Sequence, residues 1–178
     1  MRAGKPMAMA AVVKGRERSL VWAVRLFMLI SGVVFVAGIA IPIAFRVGGW
    51  EAEGFVNFLM ISARVDAIVL GRAPAAIVTA EPSVVPMQLL YIDTAASLLL
   101  GLGVMLAFLT WFGLRRGHRW AWWSVFLSVV VVVGSMARVA IPYVLKAPFG
   151  FADVPPIMWV LVLVPLPLAL GWRGTTSG

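Results

Sequence analysis

Two ionisable residues, Asp93 and Arg138, interrupt long apolar stretches and are the groups best placed to do chemistry. An unpaired charge at the bilayer centre costs roughly 3 kcal/mol on insertion scales. A carboxylate and a guanidinium at the same depth would offset that cost and could line a small polar cavity for a lipid or quinone. At 1.5 Å per helical residue, Asp93 lies about 9 Å below Met87, and Arg138 about 10 Å below Leu145 on the following segment. The two segments read as antiparallel neighbours, so the depths match and Asp93 and Arg138 are the expected polar pair. Each residue also has a structural reading. Asp93 would cap a helix beginning at Thr94, and Arg138 would snorkel to the interface.

Ser62, Arg64 and Asp66 form a weaker candidate group in the connection before these segments. On a helical wheel, Glu53, Asn57 and Arg64 share a polar strip, while Phe55, Val56, Leu59 and Ala63 face the other way. The pattern predicts an interfacial amphipathic helix over about 53–70. Asp66 interrupts its apolar side. It reads either as an ordinary surface carboxylate of a mobile loop or as one turned inward, into the bundle or toward Arg138.

The third polar feature is the basic turn Arg115-Arg116-Gly117-His118-Arg119, followed at once by Trp120-Ala121-Trp122-Trp123. Arginines between two apolar segments are first a topology signal and next a contact for anionic lipids. His118 reads as a solvated interface residue rather than a ligand. Trp111, Trp120, Trp122 and Trp123 read as an interfacial aromatic belt.

Other chemistries are excluded by composition. The chain has no cysteine and one histidine, which removes thiolate catalysis, disulfides and multi-histidine metal sites. Gly101-Leu102-Gly103 is not a phosphate loop, because it lies within an apolar helix with no strand before it. No catalytic, cofactor-binding or metal-binding residue is expected, and no cofactor.

These groups need elements to hold them. The 178 residues are 62% hydrophobic, with a mean hydropathy of +1.02, and the excess lies in blocks too long for a soluble core. The expected fold is an all-α membrane protein. It is a single domain forming a four-transmembrane-helix bundle, with spans at about 26–45, 88–114, 120–145 and 155–172. A basic leader occupies 1–25, and an outer loop with the amphipathic helix occupies 46–87. Pro74, Pro82 and Pro86 read as an irregular approach to the second span. Pro165 and Pro167 predict a kink or unwinding between Val162 and Leu168. Small-residue spacings at Ser97/Gly101, Gly103/Ala107 and Ser124/Ser128 allow close helix packing.

The formal charge of +8 flanks apolar segments and so points to a membrane rather than to nucleic acid. Arg2, Lys5, Lys14, Arg16, Arg18, Arg25, Arg115, Arg116, Arg119 and Arg173 fall on one side, opposed by Glu17. Arg46, Arg64, Arg72 and Lys146 fall on the other, against Glu51, Glu53, Asp66, Glu81 and Asp153. The positive-inside rule then places both termini in the cytoplasm. The arginine-, alanine-, valine- and glycine-rich composition predicts a bacterial cytoplasmic membrane.

Leu100-Gly101-Leu102-Gly103, with the run from Trp111 to Trp123, resembles a hairpin of uncharacterised small four-helix bacterial membrane proteins with a basic, tryptophan-flanked central turn. That resemblance implies four spans and no activity. The layout is also similar in outline to DoxX-like proteins. The expected role is a non-catalytic subunit or helper packing with other membrane proteins or with itself. The alternatives are a lipid- or quinone-binding protein or enzyme with an outer-leaflet cavity near Asp93 and Arg138, and a small oligomeric transporter.

Overall fold

The computed structural model describes residues 5–47, 62–147, 150, 153 and 159–175. Their regular structure is helical throughout. Helix α1 runs unbroken over Lys5–Val47, so from Lys5 onward the basic leader is the first part of the helix that carries the first apolar segment. Two short helices follow, α2 (Ala63–Leu70) and α3 (Pro74–Ala80). Then come α4 (Val84–Phe108), α5 (Arg119–Val144), α6 (Trp159–Leu163) and α7 (Pro165–Thr175). Of the expected amphipathic helix, only α2 lies within the described residues.

Among these residues, three helices are long and apolar enough to cross a membrane: Gly15–Val47, Val84–Arg116 and Arg119–Arg138. They make the chain a membrane protein. The fourth apolar stretch is shorter, at Val160–Thr175, and it breaks at Val164, between α6 and α7. Pro165 and Pro167 have no N–H to donate, so Leu161 and Leu163 lose their regular helical donors. Val164 N–H turns back to Leu161 O at 3.3 Å, a tighter i→i−3 bond. The interruption falls inside the window that the prolines mark.

The proline-rich approach to α4 is more regular than expected. Pro74 opens α3, Pro82 sits in the turn before α4, and Pro86 sits in α4's first turn. N–H groups in a first turn have no intrahelical acceptor, so proline costs little there. Helix α4 therefore begins at Val84, and Asp93 lies inside it rather than capping a later start.

At its far end α4 widens into a π-type turn over Leu109–Gly113 and tightens into a 3-10 turn over Leu114–Arg116. Gly117 then reverses the chain with φ +73, a left-handed conformation that glycine adopts without steric cost. Its N–H bonds Leu114 O at 2.9 Å, and His118 N–H bonds Gly113 O at 3.2 Å. A Cβ on Gly113 would stand 2.4 Å from the Ala121 Cβ. The hairpin is closed tightly at this turn end.

Above the turn, α4 packs chiefly along α1. The approach is close because glycines lie at the contact. A Cβ on Gly103 would lie 3.0 Å from Phe35 N, and one on Gly38 would lie 2.9 Å from Ala96 O. Ser31 Oγ donates to Gly103 O at 2.6 Å across the same interface. On α1, Ala23, Phe27, Ile30 and Val34 form a helical stripe that joins Leu114, Trp122, Val125 and Val164 in the core. Trp122 belongs to this core at 7% exposure and donates its indole N–H to Leu168 O at 2.9 Å. It is therefore not part of the exposed aromatic belt. Helix α7 closes on α1 through Gly174, whose added Cβ would meet the Leu20 Cβ at 2.8 Å, and Arg16 Nε donates to Gly174 O at 2.9 Å.

Of the small-residue pairs, Gly103 is used between helices. Ser97, Ser124 and Ser128 return their hydroxyls to their own helix backbones, and Gly101 faces open space. Gly103→Ala should therefore force α4 off the α1 backbone and cost about 1–3 kcal/mol, the usual range for overpacking. Gly101→Ala should hold or raise stability, since it removes a flexible helical glycine without a clash. Thermal unfolding of both variants in one detergent checks this. Equal melting temperatures would refute the glycine contact.

Candidate functional site

The end of the molecule opposite the basic turn gathers the charged groups of the loop side. Arg46, in the last turn of α1, meets Asp93 of α4, with Nη2 to Oδ2 at 2.6 Å. This corrects the expected Asp93–Arg138 pair. Sequence adjacency made α4 and α5 the natural partners, but the glycine contacts set α4 along α1. From Gly38, which faces Ala96 and Leu100, Arg46 is about 12 Å further along α1, at 1.5 Å per residue. The antiparallel register carries Asp93 to the same level. Arg138 is exposed on α5, where its stem can lie along apolar surface with the head toward water.

The weaker candidates come together around a residue that the sequence reading counted only as a loop charge, Asp153. Ser62 caps α2, accepting Val65 N–H at 3.2 Å, and donates its hydroxyl to Asp153 Oδ1 at 2.7 Å. Gly150 N–H donates to Asp153 Oδ2 at 2.8 Å, and Arg64 Nη2 stands 3.8 Å from the same oxygen. The Ser62 hydrogen bond, then that of Gly150, hold the Asp153 carboxyl below its ordinary pKa. Partial desolvation opposes the shift, and the Arg64 charge adds to it. A Ser–Asp contact invites comparison with an activated nucleophile, but that chemistry needs a basic partner. A carboxylate already accepting two hydrogen bonds, with lowered basicity, is a poor proton acceptor. The arrangement is a clasp, tying the start of α2 to the connection between α5 and α6.

Asp66 is fully buried at 0% exposure, which decides between its two readings in favour of the inward one. Val65 beside it is buried as well. Gln88 of α4 is a buried polar residue that no sequence pattern marked.

The turn end is different in kind. Arg115, Arg116, His118 and Arg119 are all exposed. The Arg115 guanidinium lies over the Trp111 ring at 4.3 Å, and that of Arg119 over Trp172 at 5.2 Å. Arg25 takes the same position over Trp22 at 5.5 Å. His118 stacks near Trp120 at 6.2 Å. A Cβ on Gly117 would lie 4.0 Å from Leu20 Cδ2 and one on Gly174 2.8 Å from Leu20 Cβ, so the turn and α7 share one end of the molecule.

Between the two ends, α1 and α4 leave an open groove of about 320 Å³. Met28, Gly32, Phe35, Val104 and Phe108 line it with hydrocarbon, and the Ser31 hydroxyl is committed to Gly103 O. Among the described residues no group of three or more histidine, aspartate or glutamate side chains is placed to hold a metal.

The fold and these sites define an all-helical membrane protein. No protein-family model matches the chain, and no curated protein or solved structure matches it.

The Arg46–Asp93 contact is half exposed, at 51% and 39% for the two side chains. Its worth is therefore that of a solvated pair, about 0.2–1 kcal/mol. A double-mutant cycle with Arg46→Ala and Asp93→Ala, read by thermal unfolding in detergent, should return a coupling in that range. The same cycle with Arg138→Ala should return zero within error. A larger coupling of Asp93 to Arg138 than to Arg46 would overturn this pairing.

Proposed function

We propose that the chain is a four-span protein of a bacterial cytoplasmic membrane, with both termini inside and an amphipathic segment over its outer end. Its work is that of a non-catalytic subunit or helper that packs with other membrane proteins. One observation carries this reading: polar side chains on the loop side and at the α1–α4 contact are engaged in internal contacts. Asp93 is held by Arg46, Asp153 by Ser62 and Gly150, and Ser31 by the backbone of Gly103. Groups so engaged support an architecture more readily than they support turnover. The α6–α7 segment supports a fourth span, because it is apolar and packs α7 against α1 and α5.

The lipid- or quinone-binding alternative has one feature in its favour, the hydrocarbon-lined groove between α1 and α4. The groove sits at the level of Ser31 and Gly103, about 15 Å along α4 from Asp93 at 1.5 Å per residue. It would take an apolar tail and leave Asp93 and Arg138 aside.

Orientation can be read with single cysteines, since the native chain has none. In intact cells an impermeant thiol reagent should label a cysteine at position 81, exposed on the loop side, and spare one at 117, following the arginine bias. Labelling at 117 would reverse the topology. The role is read by gentle purification. A tagged chain extracted in mild detergent should retain a membrane protein in fixed stoichiometry. Recovery of the chain without protein partners, carrying one equivalent of quinone or lipid, would replace the helper reading with the alternative.

A further inference from the structure

The two ends of this molecule treat charge differently. On the loop side Asp93 pairs with Arg46 and Asp153 with Arg64. At the turn end Arg115, Arg116, Arg119 and Arg173 are exposed, and the cations of Arg115 and Arg119 are placed against aromatic rings. Arg115 lies over Trp111 at 4.3 Å and Arg119 over Trp172 at 5.2 Å. An arginine stacked on an indole keeps its charge and loses rotational freedom. Its edge N–H groups remain available, and that planar fork matches the oxygens of a phosphate.

We propose that Arg115 and Arg119, held by Trp111 and Trp172, bind the phosphodiester headgroups of anionic phospholipids in the leaflet on the turn side. The surroundings select a lipid over a soluble phosphate. Trp111 and Trp172 are themselves exposed, and Phe112, stacked on Phe108 at 5.4 Å, is exposed beside Trp111. The headgroup fork therefore adjoins apolar surface that acyl chains can cover. Tryptophan also favours the interfacial depth where headgroups lie. The pairs flank Gly117, whose left-handed turn fixes the spacing between the two arginines. This inference rests on the membrane location and is independent of the helper role.

The full-length protein in a neutral detergent should gain several degrees in Tm when phosphatidylglycerol is added. Phosphatidylcholine should give no comparable gain, and neither should inorganic phosphate at the same concentration. The double variant R115Q/R119Q should lose most of the gain, whereas R72Q, a cation of the loop side, should keep it. If R115Q/R119Q does not fold, R115K/R119K decides. It keeps the charge and removes the fork and the stacking, and should retain several-fold less phosphatidylglycerol by native mass spectrometry. An equal gain with phosphatidylcholine would overturn the proposal. So would an equal gain with inorganic phosphate, or full phosphatidylglycerol retention by the arginine variant that folds.

Discussion

The close contact of α1 with α4 is the constraint on which the remaining structure depends. Within a membrane, hydrocarbon gives no drive for one apolar helix to prefer another over lipid. Contact must come from backbones that approach closely and from polar groups that meet. Gly38 and Gly103 supply the approach, and the Ser31 hydroxyl supplies a 2.6 Å hydrogen bond to a main-chain carbonyl. With that register set, Arg46 arrives at Asp93 and the stripe from Ala23 to Val34 faces the core. Helix α7 then closes on the same helix near its basic end through Gly174 and Arg16. Helix α1 is the shared partner of α4 and α7, and the exposed apolar residues on its outer faces suit a hydrocarbon surround.

Local features were legible in the sequence and partner choice was not. The apolar blocks marked four spans, of which three are long apolar helices among the described residues; Gly117 marked the reversal, and Pro165 with Pro167 marked the break at Val164. Each rests on a chemical property of the residue itself. The partner of Asp93 depends on which helices touch, and the closeness of α4 and α5 in the chain favoured Arg138. The residues that decide the matter are Gly38 and Gly103, whose spacings resemble those of many membrane helices until both backbones are seen together. Trp122 looked like its exposed neighbours, but its ring is turned inward and its N–H is taken by Leu168 O. The Asp153 clasp was hidden because Ser62 and Asp153 stand far apart in sequence, and a distant hydrogen bond leaves no periodic trace.

The chemistry of the site follows from this geometry. On the loop side, each acidic group with a described ion pair has an arginine from another helix or segment, which limits the charge left to solvate. On the turn side, Arg115 and Arg119 rest on indoles. A structure with satisfied groups at one end and extendable donors at the other is suited to a fixed place at a membrane surface.

The pairing of Arg16 with Gly174 has a temporal side. These residues are 158 positions apart in the chain, whereas α4 emerges from the ribosome far earlier than α7. During synthesis α1 can dock α4 while the face that receives α7 still borders lipid or the insertion machinery. Leu20 and Ala23 on that face stay uncovered until Gly171 and Gly174 arrive. A chain proceeds N-terminal first at about 5–20 residues per second, so this interval lasts for seconds. In that time another apolar helix with small residues could occupy the place intended for α7. In order of synthesis, Gly171 and Gly174 of α7 are the last part of the α1 contact to arrive.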